Sequence, residues 1–547
     1  MNRVSKAIAF GGLALSLICP PSWAGPPPNN DASDMGNTAG GSGALDSNTT
    51  GTNNTAFGQA ALTTNANGIL NAAFGLNALQ SNTSGFENSA FGAGALAATN
   101  SGHNNTAAGF EALLSNTTGS DNSALGNDSL VNNTTGFENT GCGINTLGSN
   151  TTGSFNTALG DAALFSNVTG RDNVAVGSGA LFHNTASNNT AVGFDALQED
   201  TSGSNNTADG IETLFKTTSG SNNTAVGGFA LFSNTTGAAN TAVGIAALQN
   251  ATTASGNTAV GTSALSQTTT GKNNVAVGVN TLFNSTTGIN NSAIGQNALS
   301  SNTTGNNNTG TGALALVSNT TGLKNTGVGA QALRNTSSGQ SNIGLGFDAG
   351  LNLTTGDDNI EIANAGNPAD TATIRIGLQG TQTQTFIAGI AGSAVTGSDV
   401  VVNGSGKLGV IVSSARYKRD IRDMGGSTEQ LLKLRPVTFR YKDDHQVIQQ
   451  YGLVAEEVER VYPELVTYGA DGKVESVRYS MLTSMLLNEL QKQTKKNEQQ
   501  AERIARLEAD RERDLAMRTA IELRLANLEQ TLVAQHGAGK VQAAFNR

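Results

Sequence analysis

Asn257 to Asn273 reads NTAVGTSALSQTTTGKN, and near-copies of these 17 residues fill most of the chain. The glycine of the Thr-Ala-Val-Gly segment recurs at positions 58, 75, 92 and onward to 346. Successive glycines lie 17 residues apart, with one 16-residue step from Gly177 to Gly193. A fixed period of this length is typical of solenoids, in which each repeat forms one coil. We therefore interpret residues 48–350 as a stack of coils.

Each residue type in the repeat has a physical reason. Thr and Val favour strands, whereas Gly and Asn supply the left-handed or tight backbone that a corner needs. The position before the repeat glycine is usually apolar, and we expect its residues to stack into an apolar ladder: Phe91, Leu159, Val260, Ile294. The Asn-x-Thr triplets fall at the polar corner, so we interpret them as corner chemistry and not as glycosylation sites. The sequence predicts a mostly β protein with a parallel β-solenoid, or β-roll.

The composition argues against one large globular core, because the 547 residues include 68 glycines and only 37% are hydrophobic. Each coil offers few and small apolar side chains, and a single-chain solenoid this narrow would bury little surface. Eighteen coils at about 4.8 Å each would form a rod of roughly 85 Å. We therefore expect a homotrimer in which three chains share a core along the axis.

The Asn, Ala, Val/Ile, Gly pattern of residues 48–350 resembles the left-handed β-roll heads of trimeric autotransporter adhesins, although the repeats of that family are shorter. The resemblance implies a trimeric rod exposed on a surface. It leaves two roles open, which are adhesion to carbohydrate or a host surface, and a spacer without a ligand.

Residues 1–24 have the pattern of a secretory signal peptide. A basic start precedes an apolar run from Ala7 to Cys19, and a small-residue exit ends at Ala24. Residues 25–47 are interpreted as a low-complexity linker. No later segment is apolar enough to cross a bilayer as a helix, so we expect a mature chain that is secreted or exposed on the cell surface, without a membrane span.

The residues between the signal and position 413 exclude several kinds of partner. Seven basic and 21 acidic residues in 25–412 argue against nucleic acid. Cys142 has no cysteine left to pair with once the signal is removed, and its ladder position indicates a small core residue and not a reactive thiol. His103 and His183 have no neighbours at ligand spacing, so we predict no metal and no cofactor.

The 17-residue period is lost after Gly346, and residues 351–412 are interpreted as a β neck of short strands. Its last two strands are predicted to form a hairpin around Asn403 to Gly406. The composition changes abruptly at Ser413, where charged residues become frequent and glycine becomes rare. We place a domain boundary there.

Residues 413–485 are predicted to form a compact α+β unit. A helix should begin at Ser427, whose hydroxyl can cap its first turn, and should end at Pro436. The remaining predicted elements, in chain order, are a strand, a helix and a strand: Val437 to Tyr441, Gly452 to Val461, Val474 to Tyr479.

Residues 413–495 closely resemble the intramolecular chaperone domain at the end of phage tail spikes, tail fibres and endosialidases. That family has a Ser-x-x-x-x-Lys pair with a following Asp/Asn-Ile, then Leu-Arg-Pro-Val-Thr-Phe, then a Gly-Phe-Ile-Ala-Gln-Glu-Val segment. The matching positions here are Ser413, Lys418, Asp420-Ile421, Leu434 to Phe439, and Gly452 to Val458. The resemblance implies that the domain drives trimer assembly and is then released by cleavage of the Val412–Ser413 bond.

The chemistry of this pair is reasonable, because an alcohol needs a base and a lysine can serve when burial leaves it neutral. We predict Ser413 as the nucleophile and Lys418 as the base. Ser414 is an alternative nucleophile, but the residue five positions on is Arg419, which is too basic to act. Glu456-Glu457 is an alternative acid/base couple, but adjacent helical residues point in different directions, which favours a surface role.

From Leu486 to Leu532 a single heptad register holds, and eight of its fourteen a and d positions are Leu or Ile. This pattern predicts a coiled coil over 486–533, with a flexible tail over 534–547. The sequence thus favours a secreted or surface homotrimeric fibre whose C-terminal domain templates assembly and then cuts itself off once. The alternatives are an uncleaved trimeric adhesin, or a structural surface fibre in which this domain is a permanent base.

Overall fold

The computed structural model describes residues 35–388, 396–397, 399–442, 448–469 and 471–536, which fall into two compact units. The first unit ends at Ser393 and the second begins at Ala394. The predicted signal peptide lies outside the described residues, and so does most of the predicted flexible tail.

The first unit is a parallel β-solenoid with a 17-residue repeat, as the sequence predicted. Each coil contributes one three-residue strand, which pairs in register with the strands of the coils on either side, as Ala242, Ala259 and Ala276 do. The strands are Thr38–Gly40, Thr55–Phe57, Ala72–Phe74, Ser89–Phe91, Thr106–Ala108, Ser123–Leu125, Thr140–Cys142, Thr157–Leu159, Val174–Val176, Thr190–Val192, Thr207–Asp209, Thr224–Val226, Thr241–Val243, Thr258–Val260, Val275–Val277, Ser292–Ile294, Thr309–Thr311, Thr326–Val328, Ile343–Leu345, Ile360–Ile362 and Ile374–Ile376. We call this array the coil stack.

The interior of the coil stack is lined by small and medium apolar side chains. In the representative coil, Ala259, Ala264 and Leu265 are fully buried. Successive strand residues point to opposite sides, so Val260 faces outward and is 36% exposed. The ladder before the repeat glycine therefore forms on the outer surface.

One chain thus closes its own core, and the premise that a single coil stack would bury little is wrong. The physical reason is that alanine at the strand centre is small enough for the coil wall to close over it, while leucine fills the rest of the interior. Cys142 belongs to the outer row and is only half-buried, so its interpretation as a core residue is also wrong.

A ladder of buried asparagines joins the coils. Asn257 donates from Nδ2 to Asn240 Oδ1 at 3.1 Å and to the Gly271 carbonyl at 2.9 Å. Its Oδ1 accepts the backbone N–H of Asn274 at 3.0 Å. Because buried amides stabilise a fold only when their donors and acceptors are satisfied, this repeated pattern is what permits polar side chains inside so narrow a coil.

A second buried row lies at the Asn-x-Thr corner. Asn302, which begins one of these triplets, is fully buried and donates to the Gly305 carbonyl at 3.1 Å. The interpretation of this triplet as corner chemistry is confirmed.

The corners demand unusual backbone angles. The repeat glycine Gly261 has φ of 131°, and a Cβ added there would lie 2.5 Å from the Gly278 carbonyl oxygen, so no other residue fits. The buried Leu265 also has a positive φ, 54°. The left-handed conformation costs a non-glycine residue roughly 1–2 kcal/mol. Burial of the leucine side chain contributes about 1.5–3 kcal/mol and offsets this cost.

A charged cluster closes the C-terminal end of the coil stack. Glu361 stands at the strand centre, where Gly344 stands in the coil before, and it is fully buried. Neither of its carboxylate oxygens has a hydrogen-bond partner within the described residues. Burial, together with the nearby Asp370 carboxylate, raises the pKa of Glu361 to about 7, while Arg375 opposes the shift. Arg375 itself pairs with Asp370 through two hydrogen bonds of 2.7 Å.

The second unit is a small assembly of helices and short strands. Among its described residues, the following strands pair antiparallel: Val401–Val402 with Leu408–Gly409, Val437–Phe439 with Gln450–Gly452, and Val466–Tyr468 with Val474–Val477. Its α-helices are Ala455–Val461 and Tyr479–His536, with a 3₁₀ turn at Pro463–Leu465. The hairpin predicted around Asn403 to Gly406 is confirmed. The other predicted strands and the short helix form, but each is shorter than predicted.

The helix predicted from Ser427 is absent and this prediction is wrong. Two 3₁₀ turns, Gly425–Thr428 and Leu431–Lys433, stand in its place. The Ser427 hydroxyl bonds back to the Met424 carbonyl and does not cap a helix. Gln430, which lies between the two turns, has φ of −88° and ψ of 1°, outside the regular helical region, and Pro436 limits the segment at its C-terminal end.

The second unit has a small apolar core of its own, in which Val458, Leu465 and Val466 are buried. Other large apolar side chains remain in solvent, among them Leu432, which is 91% exposed, and Tyr451, which is 79% exposed. The long helix leaves Leu490, Ile504, Leu507, Ile521 and Leu525 of the predicted a and d positions exposed in one chain. The coiled coil therefore stays a prediction.

No helix within the described part of the chain is both long and apolar enough to cross a bilayer.

Candidate functional site

The predicted nucleophile Ser413 lies shortly after the Val401–Val402 hairpin, in an extended segment. Asn403 holds the turn of that hairpin, because its Oδ1 accepts the backbone N–H groups of Ser405 and Lys407 at 3.0 and 2.9 Å. Val412 and Ser413 themselves are exposed, so the peptide bond between them is accessible.

A short 3₁₀ turn, Ala415–Tyr417, brings the predicted base back to the serine. The backbone N–H of Lys418 donates to the Ala415 carbonyl at 3.0 Å and ends the turn. The Lys418 ammonium Nζ then donates to Ser413 Oγ at 3.2 Å. A separation near this value lets a proton pass between two groups, so the turn explains why a serine and a lysine five residues apart can meet.

The surroundings of this pair are open, because both Ser413 and Lys418 are exposed to solvent in one chain. A lysine becomes a base only when its ammonium is removed from water or placed near other positive charge. One chain thus supplies the distance between the two groups, but it does not supply the dry environment that the chemistry requires.

A bidentate ion pair links the two later segments of the motif. Arg435 contacts Glu457 through Nε at 3.1 Å and through a terminal guanidinium nitrogen at 2.5 Å. The Arg435 guanidinium lowers the pKa of the Glu457 carboxyl. Glu457 therefore ties two segments together, and the surface role favoured over an acid/base couple with Glu456 agrees with this contact.

The sequence analysis did not predict the contacts that Tyr479 and Thr428 make. The Tyr479 hydroxyl accepts the backbone N–H of Leu453, within the Gly452 to Val458 segment of the motif, at 2.9 Å. Thr428 is buried, and its hydroxyl meets Asn488 and Lys492 of the long helix. These contacts join residues that lie far apart in the sequence, so a local sequence pattern does not predict them.

The coil stack holds one further buried acid, Asp200, in the corner that follows the 16-residue step. Its carboxylate accepts the backbone N–H of Gly203 at 2.9 Å, and burial raises its pKa to about 7. Across the described ranges, no three His, Cys, Asp or Glu side chains come together as metal ligands. Asp200 therefore stands as a structural member of the corner row.

Comparison with known families gives a match on the segment that contains the serine and the lysine. Residues 413–467 match the chaperone of endosialidase family, Peptidase_S74. The matched segment thus begins at the predicted nucleophile. It includes the 3₁₀ turn and both partners of the Arg435–Glu457 pair. The resemblance seen in the sequence is confirmed for this segment.

No curated protein and no solved structure is significantly similar to the chain. The family match covers a small part of the 547 residues and lies entirely in the second unit. What can be said of the coil stack rests on its own geometry.

Proposed function

We propose that this protein is a homotrimeric β-fibre, exported to the outside of the cell, whose chaperone domain assembles three chains and then releases itself by cutting the Val412–Ser413 bond. The observation that carries the proposal is the 3.2 Å contact between Lys418 Nζ and Ser413 Oγ at the first residues of a segment that matches a peptidase and chaperone family. The β-solenoid that precedes this segment supplies the fibre.

The proposed reaction begins when neutral Lys418 takes the proton of the Ser413 hydroxyl. The oxygen attacks the carbonyl carbon of Val412, and the C–N bond breaks as the nitrogen of Ser413 receives that proton from Lys418. The Val412 acyl group is then held as an ester on Oγ. Water hydrolyses the ester and leaves a carboxylate at Val412 and a free amino group at Ser413. The bond is cut once per chain.

The proposed reaction depends on formation of the trimer. Because the serine and the lysine are exposed in one chain, a neighbouring copy has to cover them before the lysine can lose its proton. Apolar side chains that stay in solvent in the second unit, such as Leu432 and Leu490, offer contact surface for such a copy. Cleavage therefore follows assembly, and release of the domain makes assembly hard to reverse.

The test is the mass of the chain expressed without residues 1–24. The native chain is expected to yield a fragment of residues 413–547 with Ser413 as its first residue. Ser413→Ala and Lys418→Ala should remain intact and still form trimers, whereas the matched control Ser414→Ala should cleave as the native chain does. Intact native chain in trimers would contradict self-cleavage and favour a permanent trimerisation base.

The alternative function is an uncleaved adhesin or structural surface fibre. It is favoured by one specific observation, which is that the coil stack closes its core within one chain and needs no processing to be stable. In that case the chaperone domain would stay attached, and carbohydrate or a host surface would be the partner to seek.

A further inference from the structure

A strip with almost no charged residues runs along the outside of the coil stack. Three rows of exposed or half-exposed side chains form it: the first strand residue, the residue before the repeat glycine and the residue after that glycine. In the representative coil these are Thr258, Val260 and Thr262. We call these rows, from Thr55 to Phe347, the outer strip.

The middle row of the outer strip is apolar almost throughout. Phe57, Phe74 and Phe91 stack with ring centroids 5.6 and 5.0 Å apart, and aliphatic residues occupy most of the later coils. Many of these side chains are well exposed, as shown by Leu125 at 56% and Ile294 at 45%. The neighbouring row adds Phe110, Ile245 and Phe347, among others, at 52–67% exposure.

Charge is nearly absent from the outer strip. Within the described coils from Thr55 to Phe347, its three rows contain Asp161 and Asp209 as their charged residues and no basic residue. Charges are frequent elsewhere on the same coils, as at Glu87, Asp121 and Glu138. Depletion of charge with enrichment in aromatic and aliphatic residues is the composition of the centre of a protein interface.

The size of the outer strip fits a stable protein contact. Eighteen coils at about 4.8 Å, and about 13 Å across the three rows, give roughly 1,100 Å² per chain. A standard interface buries about 800 Å² per partner, and exposed apolar patches on monomers are usually smaller than this strip. A surface this large and this apolar is expected to be covered.

We propose that the outer strip is covered by the outer strips of two further copies of the same chain, parallel and in register. A copy has the same 17-residue spacing along the whole length, so each coil meets its equivalent and the phenylalanine segment meets phenylalanine. The inference rests on the proposed homotrimeric fibre, and it names the surface through which the coil stacks join. Each stack keeps its own closed core, and the shared contact is made by outward side chains.

Cys142 provides a native probe, because it lies in the middle row of the outer strip between Leu125 and Leu159. The chain without residues 1–24 contains no other cysteine. A short bis-maleimide should join Cys142 of two chains and give covalent dimers on a denaturing gel. The control is the chain with Cys142→Ser and Thr152→Cys, which places the thiol in the same coil on the exposed threonine corner, and it should give at least tenfold less dimer.

A second pair of variants tests the surface itself while Cys142 stays in place. Leu125→Lys with Leu159→Lys puts positive charge into the outer strip on both sides of the probe. We expect at least a tenfold fall in Cys142 cross-linking, with an unchanged circular dichroism spectrum, because the core of each stack is not touched. Thr135→Lys with Thr169→Lys adds the same charges to the exposed corner of the same two coils and should leave cross-linking unchanged.

The outcomes separate this inference from the proposed function. Native mass spectrometry of the uncut Ser413→Ala chain reports whether trimers form at all, and a monomer would overturn both. Trimers in which Cys142 does not cross-link, or in which the two lysine pairs behave alike, would overturn the outer strip as the contact and leave the trimeric fibre standing.

Discussion

The coil stack and the second unit differ in where they find partners for their apolar side chains. In the stack, Ala259 and Leu265 are buried by neighbouring coils of the same chain. In the second unit, a small core around Leu465 is complete, but the long helix presents Ile504 and Ile521 to solvent. The core of the stack is therefore complete within one chain and only its outer strip stays exposed, whereas the second unit leaves residues of its long helix in solvent as well.

This difference indicates that the coil stack and the second unit have separate roles. Each coil of a solenoid contacts only the coils next to it, so the free energy of folding is a sum of contributions from the coils. Any number of repeats can therefore be accommodated. It does not by itself fix how many chains assemble or in which register. A short domain with exposed apolar surface can do that, which is the role proposed here for the second unit.

A matched pair of leucine truncations should show the largest contrast. Leu265→Ala and Leu465→Ala each remove a fully buried side chain, and each should cost about 2–5 kcal/mol in its own unit. Leu265→Ala should leave trimer formation and release of residues 413–547 intact. Leu465→Ala should abolish both, as measured by native mass and fragment yield. Equal effects on assembly would show that the two units are not independent.

Removal of one asparagine side chain from the buried ladder should have the next largest effect. Asn257→Ala leaves the backbone N–H of Asn274 and one of its two side-chain N–H donors without their acceptor, while the other side-chain donor keeps the Gly288 carbonyl. Unsatisfied buried donors cost about 1–3 kcal/mol each, so we expect a loss of about 2–5 kcal/mol in denaturant unfolding of the stack. The exposed control Thr270→Ala should change little. A neutral Asn257→Ala would mean that the ladder does not stabilise the coils.

The buried Glu361 should make the end of the stack sensitive to pH. Its pKa is raised to about 7 in the folded chain from 4.5, so the folded state keeps a proton that the unfolded state releases. Stability should therefore fall as pH rises from about 4.5 to 7 and then level off. Glu361→Gln should make this slope shallower in melting temperatures measured across that range, while the part that comes from Asp200, whose pKa is also raised to about 7, remains. Glu138→Gln, at an exposed site, should keep the native slope.

The smallest effect is expected at the exposed Arg435–Glu457 pair. The hydrogen bond from Arg435 lowers the pKa of Glu457, so its contribution is present above pH 4.5 and is lost as pH falls through the folded pKa. Exposed pairs are screened by solvent and salt, so Arg435→Gln should lower the melting temperature only slightly at pH 7. A large drop in melting temperature, or one that persists once acid has protonated Glu457, would assign the pair a role beyond this ion pair.

The periodic part of the fold could be predicted from sequence because each coil repeats the same local rules. The glycine period located the strands, and the composition excluded a globular core. The side chains of Val260 and Cys142 were assigned to the wrong side of their strands. A two-residue alternation does not say which side of a strand faces the interior. Alanine at the strand centre was the available signal, because only small residues fit a narrow interior.

The second unit was less predictable for a different reason. Its motif identified Ser413 and Lys418, and the 3₁₀ turn that joins them is compatible with their spacing. The helix expected from Ser427 failed because the glycines at 425 and 426 and the buried Thr428 favour turns held by the long helix. Contacts of this kind are set by the folded unit and not by local periodicity.

The most direct test of the account is the concentration dependence of self-cleavage. The native chain without residues 1–24 is refolded over about a hundredfold range of concentration, and mass spectrometry follows trimers and the fragment that begins at Ser413. Because one chain leaves Ser413 and Lys418 exposed, the account predicts that the fragment appears only with trimers and faster at higher concentration. Release at the same rate from chains that remain monomeric, or stable trimers that release nothing, would contradict it.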